Sequence, residues 1–263
     1  MQDIMNLLMI GDVMGKPGRK ALAALVPGLR RELSLDIVIA NGENAAAGRG
    51  LTQGTAREIF DAGVDVITSG NHIWDQKEIM TVLDEEVAIA RPLNYPPGAP
   101  GRGVLTQKGV TVLNLQGRTF MADIDCPFRA ADGALEGLPP DALVVVDMHA
   151  EATSEKQAMG RYLDGRVAAV LGTHTHVPTA DPRILPGGTA YVTDVGMVGP
   201  KESIIGNDID AALRRFLSGL PTRLPVAESR VVQFNAVLVE IDETTRRARN
   251  IQRVDREHCR DAE

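Results

Sequence analysis

His174 and His176 stand two residues apart, directly after the apolar run 167–171. In an extended segment, residues i and i+2 point to the same side, so both imidazoles can reach one small volume beyond the strand. Imidazole is a ligand of zinc, iron, copper and nickel, which makes the pair a candidate metal site. Taken alone, the pair would also fit two polar histidines in solvent at a strand end. Whether the pair is a metal site therefore depends on whether the rest of the chain supplies further ligands.

Four further apolar runs end in polar side chains that can bind metal or transfer protons. They deliver, in chain order, Asp12, Glu43 with Asn44, Asn71 with His72, and His149. In open α/β sheets, ligands bind beyond the carboxyl ends of the strands. One polar strand end is ordinary, but five together favour a site, and the glycines beside several of them allow close approach of the backbone to a ligand.

This inventory contains two carboxylates, two carboxamides and four imidazoles, more than one ion can use. It suits two ions that share a bridging carboxylate. Two metals about 3.5–4 Å apart can clamp a phosphate and activate a water for in-line attack. Mixed oxygen and nitrogen ligands favour iron, manganese, zinc or cobalt over magnesium or calcium.

The elements that must position these residues follow from hydrophobic periodicity. Strands are predicted at 4–10, 36–40, 64–68, 141–146, 167–171 and 189–193, with hairpins at 104–115 and 231–254. Helices are predicted at 20–33, kinked or restarted by Pro27, and at 52–62, 75–86, 154–163 and 208–217. Ser154 and Gln157 could form a capping box, and Ile209, Leu213, Phe216 and Leu217 read as a packing stripe. The segment 117–133 has no clear hydrophobic period and is predicted to be a long surface loop, whose role the sequence does not indicate.

No linker or repeat divides the chain, so one domain over 1–263 is expected.

The composition limits the classes of function. A net charge of −7 argues against a DNA-coating role, so no stable nucleic-acid partner is expected. Cys126 and Cys259 give neither metal spacing nor a disulfide framework, and a reducing, cytoplasmic setting fits. No apolar stretch is long enough to span a bilayer, and no signal peptide precedes the first strand, so no membrane partner is expected. A homo-oligomer is compatible with the sequence.

The order of the motifs resembles that of the calcineurin-like metallophosphoesterases. The matching residues are Gly11-Asp12, Gly42-Glu43-Asn44, Gly70-Asn71-His72, His149 and Gly172-Thr173-His174-Thr175-His176. The chain is more narrowly similar to the YmdB-like bacterial branch, through the segments 41–46, 70–75, 149–156, 173–179 and 187–196. The resemblance implies a four-layer α/β/β/α sandwich of two mixed sheets. It also implies phosphodiesterase activity on small-molecule substrates, namely 3′,5′- or 2′,3′-cyclic nucleotides.

The resemblance also implies roles for single residues. Asp12, Asn44 and His176 would hold one metal, Asn71, His149 and His174 would hold the other, and Glu43 would bridge them. The chain departs from the wider superfamily in having Met14 in place of a histidine and glutamate in place of a bridging aspartate. These departures leave the metal open, with iron expected first and manganese or zinc as alternatives.

His72 is expected to be the catalytic residue rather than a ligand, because its neighbour Asn71 cannot easily face the same ion. An imidazole beside the phosphate can protonate the leaving oxygen, which typically contributes about 10²–10⁴-fold. Asp75 could orient His72, or it could simply cap the following helix. Glu151 and Lys156 could support the ligands or begin a helix in the ordinary way.

Asp194 is predicted to be structural rather than a ligand, because the ligand inventory is already full.

The leading hypothesis from these residues is a dinuclear phosphodiesterase that uses a metal-activated hydroxide with His72 as general acid. One alternative is a phosphomonoesterase or nuclease on the same site. The other is a metal-binding regulatory protein without essential hydrolysis.

Overall fold

The computed structural model describes residues 4–85 and 87–259, which form a mixed α/β structure. The helices are α1 (Gly15–Glu32), α2 (Gln53–Asp61), α3 (Ile79–Leu83), α4 (Pro127–Glu136), α5 (Thr153–Tyr162) and α6 (Ile209–Ser218). The strands are β1 (Ile4–Ile10), β2 (Asp12–Val13), β3 (Ile37–Asn41), β4 (Val66–Thr68), β5 (Ile89–Ala90), β6 (Val104–Gln107), β7 (Val110–Gln116), β8 (Leu143–His149), β9 (Ala169–Thr173), β10 (Arg183–Ile184), β11 (Ala190–Val192), β12 (Met197–Pro200), β13 (Val231–Phe234), β14 (Ala236–Asp242), β15 (Arg247–Arg253) and β16 (Arg256–Cys259).

The first sheet has the order β15-β14-β1-β3-β4-β5. It is mixed, because β1 is parallel to β3 and antiparallel to β14. Leu7 and Met9 of β1 lie in a core shared with the second sheet, whereas Leu8 and Ile10 pack with α1 and α2. Alternate side chains of a strand point to opposite faces, and here both faces are buried. This double burial explains why β1 is apolar except at the partly buried Asn6.

The second sheet has the order β10-β11-β9-β8-β7-β6 and is also mixed. Val145 and Leu171 face the core shared with the first sheet. Val146 and Val170 face α4 and α5 instead. Strands β8 and β9 are parallel, so their carboxyl ends emerge side by side.

A third sheet of four strands, β16-β13-β12-β2, was not part of the two-sheet expectation. It begins at Asp12, whose strand pairs in parallel with β12. Strands as short as β2 and β12 carry too little periodic pattern to be recognised in a sequence.

The expected restart of the first helix at Pro27 is wrong, because α1 runs unbroken from Gly15 to Glu32 with Pro27 inside it. Proline removes the hydrogen bond to the carbonyl four residues earlier, which belongs to Ala23. Both Pro27 and Ala23 are exposed, so water can satisfy that carbonyl.

Three other expectations about local structure are also wrong. The segment 117–133 is not all loop, because α4 begins at Pro127, a favoured first helical residue, and buries only Pro127 and Ala131. The expected capping box of Ser154 is absent, since α5 begins at Thr153 with no side-chain cap. The third helix, expected over 75–86, is shortened to α3, and residue 86 lies outside the described residues.

The apolar stripe of α6 does not pack as expected. Phe216 is 77% exposed and Leu217 is 86% exposed, because this helix faces the protein through the small residues Ala211 and Ala212. Asp208 caps the helix by accepting a hydrogen bond from the amide of Ala211. Within the described part of the chain, the helices are all too short or too polar to cross a membrane.

Candidate metal centre

The polar strand ends of the first and second sheets converge on one cleft. Asp12, Glu43 and Asn71 follow β1, β3 and β4 of the first sheet, whereas His149 ends β8 and His174 follows β9 of the second. The Oε1 atom of Glu43 lies 3.1 Å from Nε2 of His149 and so joins the two sheet edges. The expectation that these strand ends form one group is confirmed.

One set of ligand atoms surrounds Nε2 of His149. This nitrogen lies 3.1 Å from Oε1 of Glu43, 3.1 Å from Oδ1 of Asn71 and 3.0 Å from Nδ1 of His174. The ligand atoms of Glu43, His149 and His174 all lie within 4.8 Å of one another. A single cation could therefore contact all three.

A second set of ligand atoms lies around His176. Its Nε2 is 3.1 Å from the carboxamide nitrogen of Asn44 and 3.7 Å from Oδ1 of Asp12. The same carboxamide nitrogen lies 3.3 Å from Oε1 of Glu43, which thus contacts both sets. Half a turn of the Asn44 carboxamide would exchange its nitrogen for the oxygen that a cation prefers.

Hydrogen bonds on the far side of each imidazole fix its orientation. His176 donates from Nδ1 to the carbonyl of Ile205 at 2.8 Å, which leaves Nε2 without a proton and facing Asn44 and Asp12 as a candidate ligand atom. Nε2 of His174 lies 3.1 Å from the carboxylate of Glu151, while its Nδ1 faces His149. Such outer partners set the tautomer and the basicity of a ligating histidine.

Two residues behind His149, Asp147 and Asn41, were not predicted to support the site. Its Nδ1 lies 2.9 Å from the hydroxyl of Thr173, which in turn donates to Asp147 at 2.7 Å. The carboxamide of Asn41 donates to the same carboxylate at 3.2 Å. Asp147 is a buried polar residue inside the mostly apolar β8, and Asn41 is a buried polar residue at the end of β3. A polar residue at a buried strand position is the signal that could have identified them.

The turn that carries the two histidines is strained and held by a buried ion pair. His174 and His176 have φ angles of 98° and 65°, a region that non-glycine residues seldom adopt. Oδ2 of Asp194 accepts hydrogen bonds from both the amide and the hydroxyl of Thr175, at 3.1 and 2.8 Å. The ammonium group of Lys156, which is fully buried, lies 2.7 Å from the same oxygen. These contacts give Lys156 and Asp194 a supporting position behind the ligands.

Burial and mutual attraction shift the pKa values of the clustered groups. Burial raises the pKa of Asp12 to about 7, against the opposing effect of His176 and His149. Burial also acts to raise the pKa of Glu43, but the His149 imidazole outweighs it and lowers that pKa to about 2. Burial acts to lower the pKa of His149, and the Glu43 carboxylate instead raises it to about 9. Glu43 and His149 thus form an ion pair whose proton a cation would displace.

Burial, together with the charge on His149, lowers the pKa of His174 to about 3. His174 is therefore neutral at pH 7, with a lone pair available to a metal. A neutral imidazole is the form that binds cations.

Gly70 is a point of very close approach between the backbone and the ligands. A Cβ atom at this position would lie 2.2 Å from Nε2 of His149 and 2.4 Å from Oε2 of Glu43. Real Cβ atoms do not approach other atoms so closely, so only glycine fits here without displacing both side chains. The expected use of glycine beside Asn71 is confirmed at this position.

His72 lies beside the ligands, and a carboxylate holds its ring. Its amide donates to Oε2 of Glu43 at 3.0 Å, and its Nδ1 lies 3.0 Å from Oδ2 of Asp75. Asp75 does not cap a helix, since α3 begins four residues later with Glu78 at its N-cap. The ring lines the cleft, as do Glu43, His174 and His176, and the cleft volume is about 500 Å³.

The chemistry of the donor set fits metal ions. Oδ1 of Asp12 is fully buried and has no hydrogen-bond partner among the described residues. A buried carboxylate oxygen without a partner is costly, and a cation would remove that cost. His149 is similarly crowded by three ligand-type atoms at about the distance at which they could share an ion.

Comparison with known proteins places this arrangement in context. The family described as YmdB-like protein matches residues 8–254 of the chain, a range that includes every side chain of the candidate metal centre. The 2′,3′-cyclic-nucleotide 2′-phosphodiesterase of Bacillus subtilis (strain 168) is 47% identical over 255 residues, which cover 95% of this chain and 96% of that protein.

Two crystal structures are similar to the whole fold. A hypothetical protein from Thermus thermophilus has a TM-score of 0.90 at 47% identity, over 96% of this chain and 99% of that one. A novel phosphatase from Mycoplasma pneumoniae has a TM-score of 0.92 at 34% identity, over 98% of this chain and 95% of that one.

Proposed function

Because the chain belongs to the YmdB-like family, we propose that it is a metal-dependent phosphoric diester hydrolase that opens 2′,3′-cyclic nucleotides. The observation that carries this proposal is the pair of ligand sets on either side of Glu43, at the floor of a cleft that His72 also lines. The name of the Bacillus relative favours the 2′,3′-cyclic over the 3′,5′-cyclic substrates.

Two transition-metal ions would occupy the centre, with iron expected first and manganese or zinc as alternatives. Asp12, Asn44 and His176 would hold one ion, and Asn71, His149 and His174 the other. Glu43, whose Oε1 atom lies near members of both sets, would bridge them. When bound, the ions would polarise the phosphate and activate a water molecule as the nucleophile.

His72 would act as the general acid. Asp75 holds Nδ1 of the ring, so Nε2 is the atom that can deliver a proton into the cleft. As the new P–O bond forms, the bond from phosphorus to the ribose 2′ oxygen breaks, and that oxygen takes the proton from Nε2. The product is a 3′-phosphomonoester with a free 2′ hydroxyl, and the neutral imidazole that remains keeps its hydrogen bond from Nδ1 to Asp75. General acid catalysis of this kind contributes about 10²–10⁴-fold.

The proposal includes the arrangement of layers. The two six-stranded sheets share one core, and each has helices against its other face. This supports a four-layer α/β/β/α sandwich within one domain, with the third sheet beside the metal centre.

Hydrolysis of a substrate panel tests the proposed reaction. Metal-free protein reconstituted separately with iron, manganese and zinc should hydrolyse 2′,3′-cyclic nucleotides faster than 3′,5′-cyclic nucleotides, nucleoside monophosphates or bis-p-nitrophenyl phosphate. A preference for monophosphates would favour a phosphomonoesterase, and cleavage within RNA would favour a nuclease. Metal binding without turnover of any member would favour the regulatory alternative.

A further inference from the structure

Three arginines line the cleft that holds the candidate metal centre, and the proposed reaction does not use them. They are Arg49, Arg215 and Arg223. The side chains of all three are without a hydrogen-bond or ion-pair partner within residues 4–85 and 87–259. All three residues are exposed to solvent, so their guanidinium groups are available to an anionic ligand in the cleft.

The arginines come from two chain segments that meet at the cleft. Arg49 follows Gly48, and a Cβ at Gly48 would lie 2.9 Å from a methyl group of Val226. Arg223 lies three residues before Val226. The loop after Glu43 and the segment that returns from α6 therefore contact each other and present their arginines to the same space.

The segment that carries Arg215 and Arg223 is anchored next to a proposed metal ligand. Asn207 and Val226 form a bridge at its base, and the amide of Asp208 donates to the carbonyl of Pro225 at 2.9 Å. Two residues before Asn207, the carbonyl of Ile205 accepts the hydrogen bond from His176. The arginines are thus held at a defined side of the metal centre.

Binding of a single cyclic phosphate does not require the positive charge of these three arginines. It carries one negative charge, and the proposed metal ions would already neutralise it at the floor of the cleft. Guanidinium groups bind phosphate oxygens in bidentate fashion, so unpaired arginines indicate a second anionic group on the substrate. The cleft volume of about 500 Å³ is in the range of sites for ligands of nucleotide size.

We propose that the preferred substrate carries a second phosphate, attached to the 5′ oxygen of the cyclic nucleotide and bound by Arg49, Arg215 and Arg223. This inference rests on the proposed function and specifies its substrate class. Two kinds of molecule carry a 2′,3′-cyclic phosphate together with a phosphate on the 5′ oxygen. One is a mononucleotide with a free 5′ phosphate, and the other is an RNA oligonucleotide whose 3′ end is a 2′,3′-cyclic phosphate.

Three substrates test the proposal with the metal-loaded protein: uridine 2′,3′-cyclic phosphate, its 5′-phosphorylated form, and a uridine dinucleotide ending in a 2′,3′-cyclic phosphate. We expect at least one of the two larger substrates to have a kcat/KM about tenfold above the first, as for a charge-assisted contact. A preference for the dinucleotide would indicate an RNA end, and a preference for the 5′-phosphorylated form would indicate a mononucleotide. Equal values for all three substrates would overturn the proposal.

Single variants identify the groups responsible. R49Q, R215Q and R223Q should each reduce the ratio of kcat/KM between the preferred and the unphosphorylated substrate by about tenfold. R214Q is the matched control, because Arg214 is exposed on the same helix but does not line the cleft. Two results would show that the arginines do not recognise a second phosphate. One is that R214Q reduces this ratio as strongly as the other variants do. The other is that R49Q, R215Q and R223Q reduce kcat/KM equally for the preferred and the unphosphorylated substrate.

A binding measurement tests the arginine site independently of whether the protein catalyses the proposed reaction. Titration calorimetry compares uridine 3′,5′-bisphosphate with uridine 3′-monophosphate and needs no turnover. Tighter binding of the bisphosphate that is lost in R215Q and R223Q supports the arginine site even in a protein that hydrolyses none of the three substrates. Equal affinity for the two compounds contradicts it, whatever the catalytic result.

Discussion

The ammonium group of Lys156 lies 2.7 Å from Oδ2 of Asp194, and both side chains are buried. The same carboxylate oxygen accepts two hydrogen bonds from Thr175, the residue between His174 and His176. Strained backbone persists only where its surroundings hold it in place. The ion pair is therefore the support that keeps the two histidines turned toward the cleft.

Removing one partner of this pair should be strongly destabilising. K156M leaves the Asp194 carboxylate buried without its cation, which typically costs about 3–5 kcal/mol. The double variant K156M/D194N should be more stable than K156M, because no uncompensated charge remains. Urea denaturation of the metal-free protein measures the free energy of unfolding of both variants. A loss below about 1 kcal/mol in K156M would show that the pair does not support the turn.

Single replacements of the two histidines should remove different ions. H174A should lose the ion beside His149, and H176A the ion beside Asp12, because the two imidazoles belong to separate ligand sets. Elemental analysis of each variant should give about half of the parent metal content, and anomalous scattering should locate the ion that remains. The same ion lost from both variants would instead indicate one chelated metal.

Replacement of His72 should separate catalysis from metal binding. We expect H72A to lose about 10²–10⁴-fold in kcat with its metal content retained, because the ring lies beside the ligand sets without belonging to either. D75A should show a smaller loss, since it removes only the contact that orients Nδ1.

H258A is the matched control for these two variants, because His258 lies on β16 and does not line the cleft. Its activity should equal that of the parent. H72A with parental activity would contradict the assigned role.

Gly70 should tolerate no side chain. In G70A, the new methyl group must displace both His149 and Glu43, so we expect reduced metal content and a loss of about 1–3 kcal/mol in the free energy of unfolding. G54A is the control, since a Cβ at this position in α2 meets nothing within 4 Å and should stabilise the helix by about 0.5–1 kcal/mol. G70A with parental stability and metal content would show that the backbone can move away from the centre.

The strand ends were predictable because chemistry and periodicity coincide there. Buried strands such as β1 and β8 are mostly apolar on both faces, so Asp12 and His149 stand out at their ends. Asp75 could be assigned to His72 or to a helix, and only the short α3 decided between them. Local spacing cannot show where a turn replaces a helix.

Features that depend on tertiary contact were not predictable. The stripe on α6 has the periodicity of a packed helix, yet the smaller Ala211 and Ala212 face the protein. The support of Asp194 by Lys156 joins residues 38 positions apart, and no sequence pattern links them. The convergence of Arg49 and Arg223 likewise depends on contact between distant loops.

The most direct test of the central claim is a joint measurement of metal content and hydrolysis in protein purified without added ions. Elemental analysis should give two transition-metal ions per chain, and this protein should hydrolyse 2′,3′-cyclic nucleotides. Activity should disappear with a chelator and return on reconstitution. A protein that holds no transition metal and remains inactive after reconstitution with iron, manganese or zinc would contradict the account.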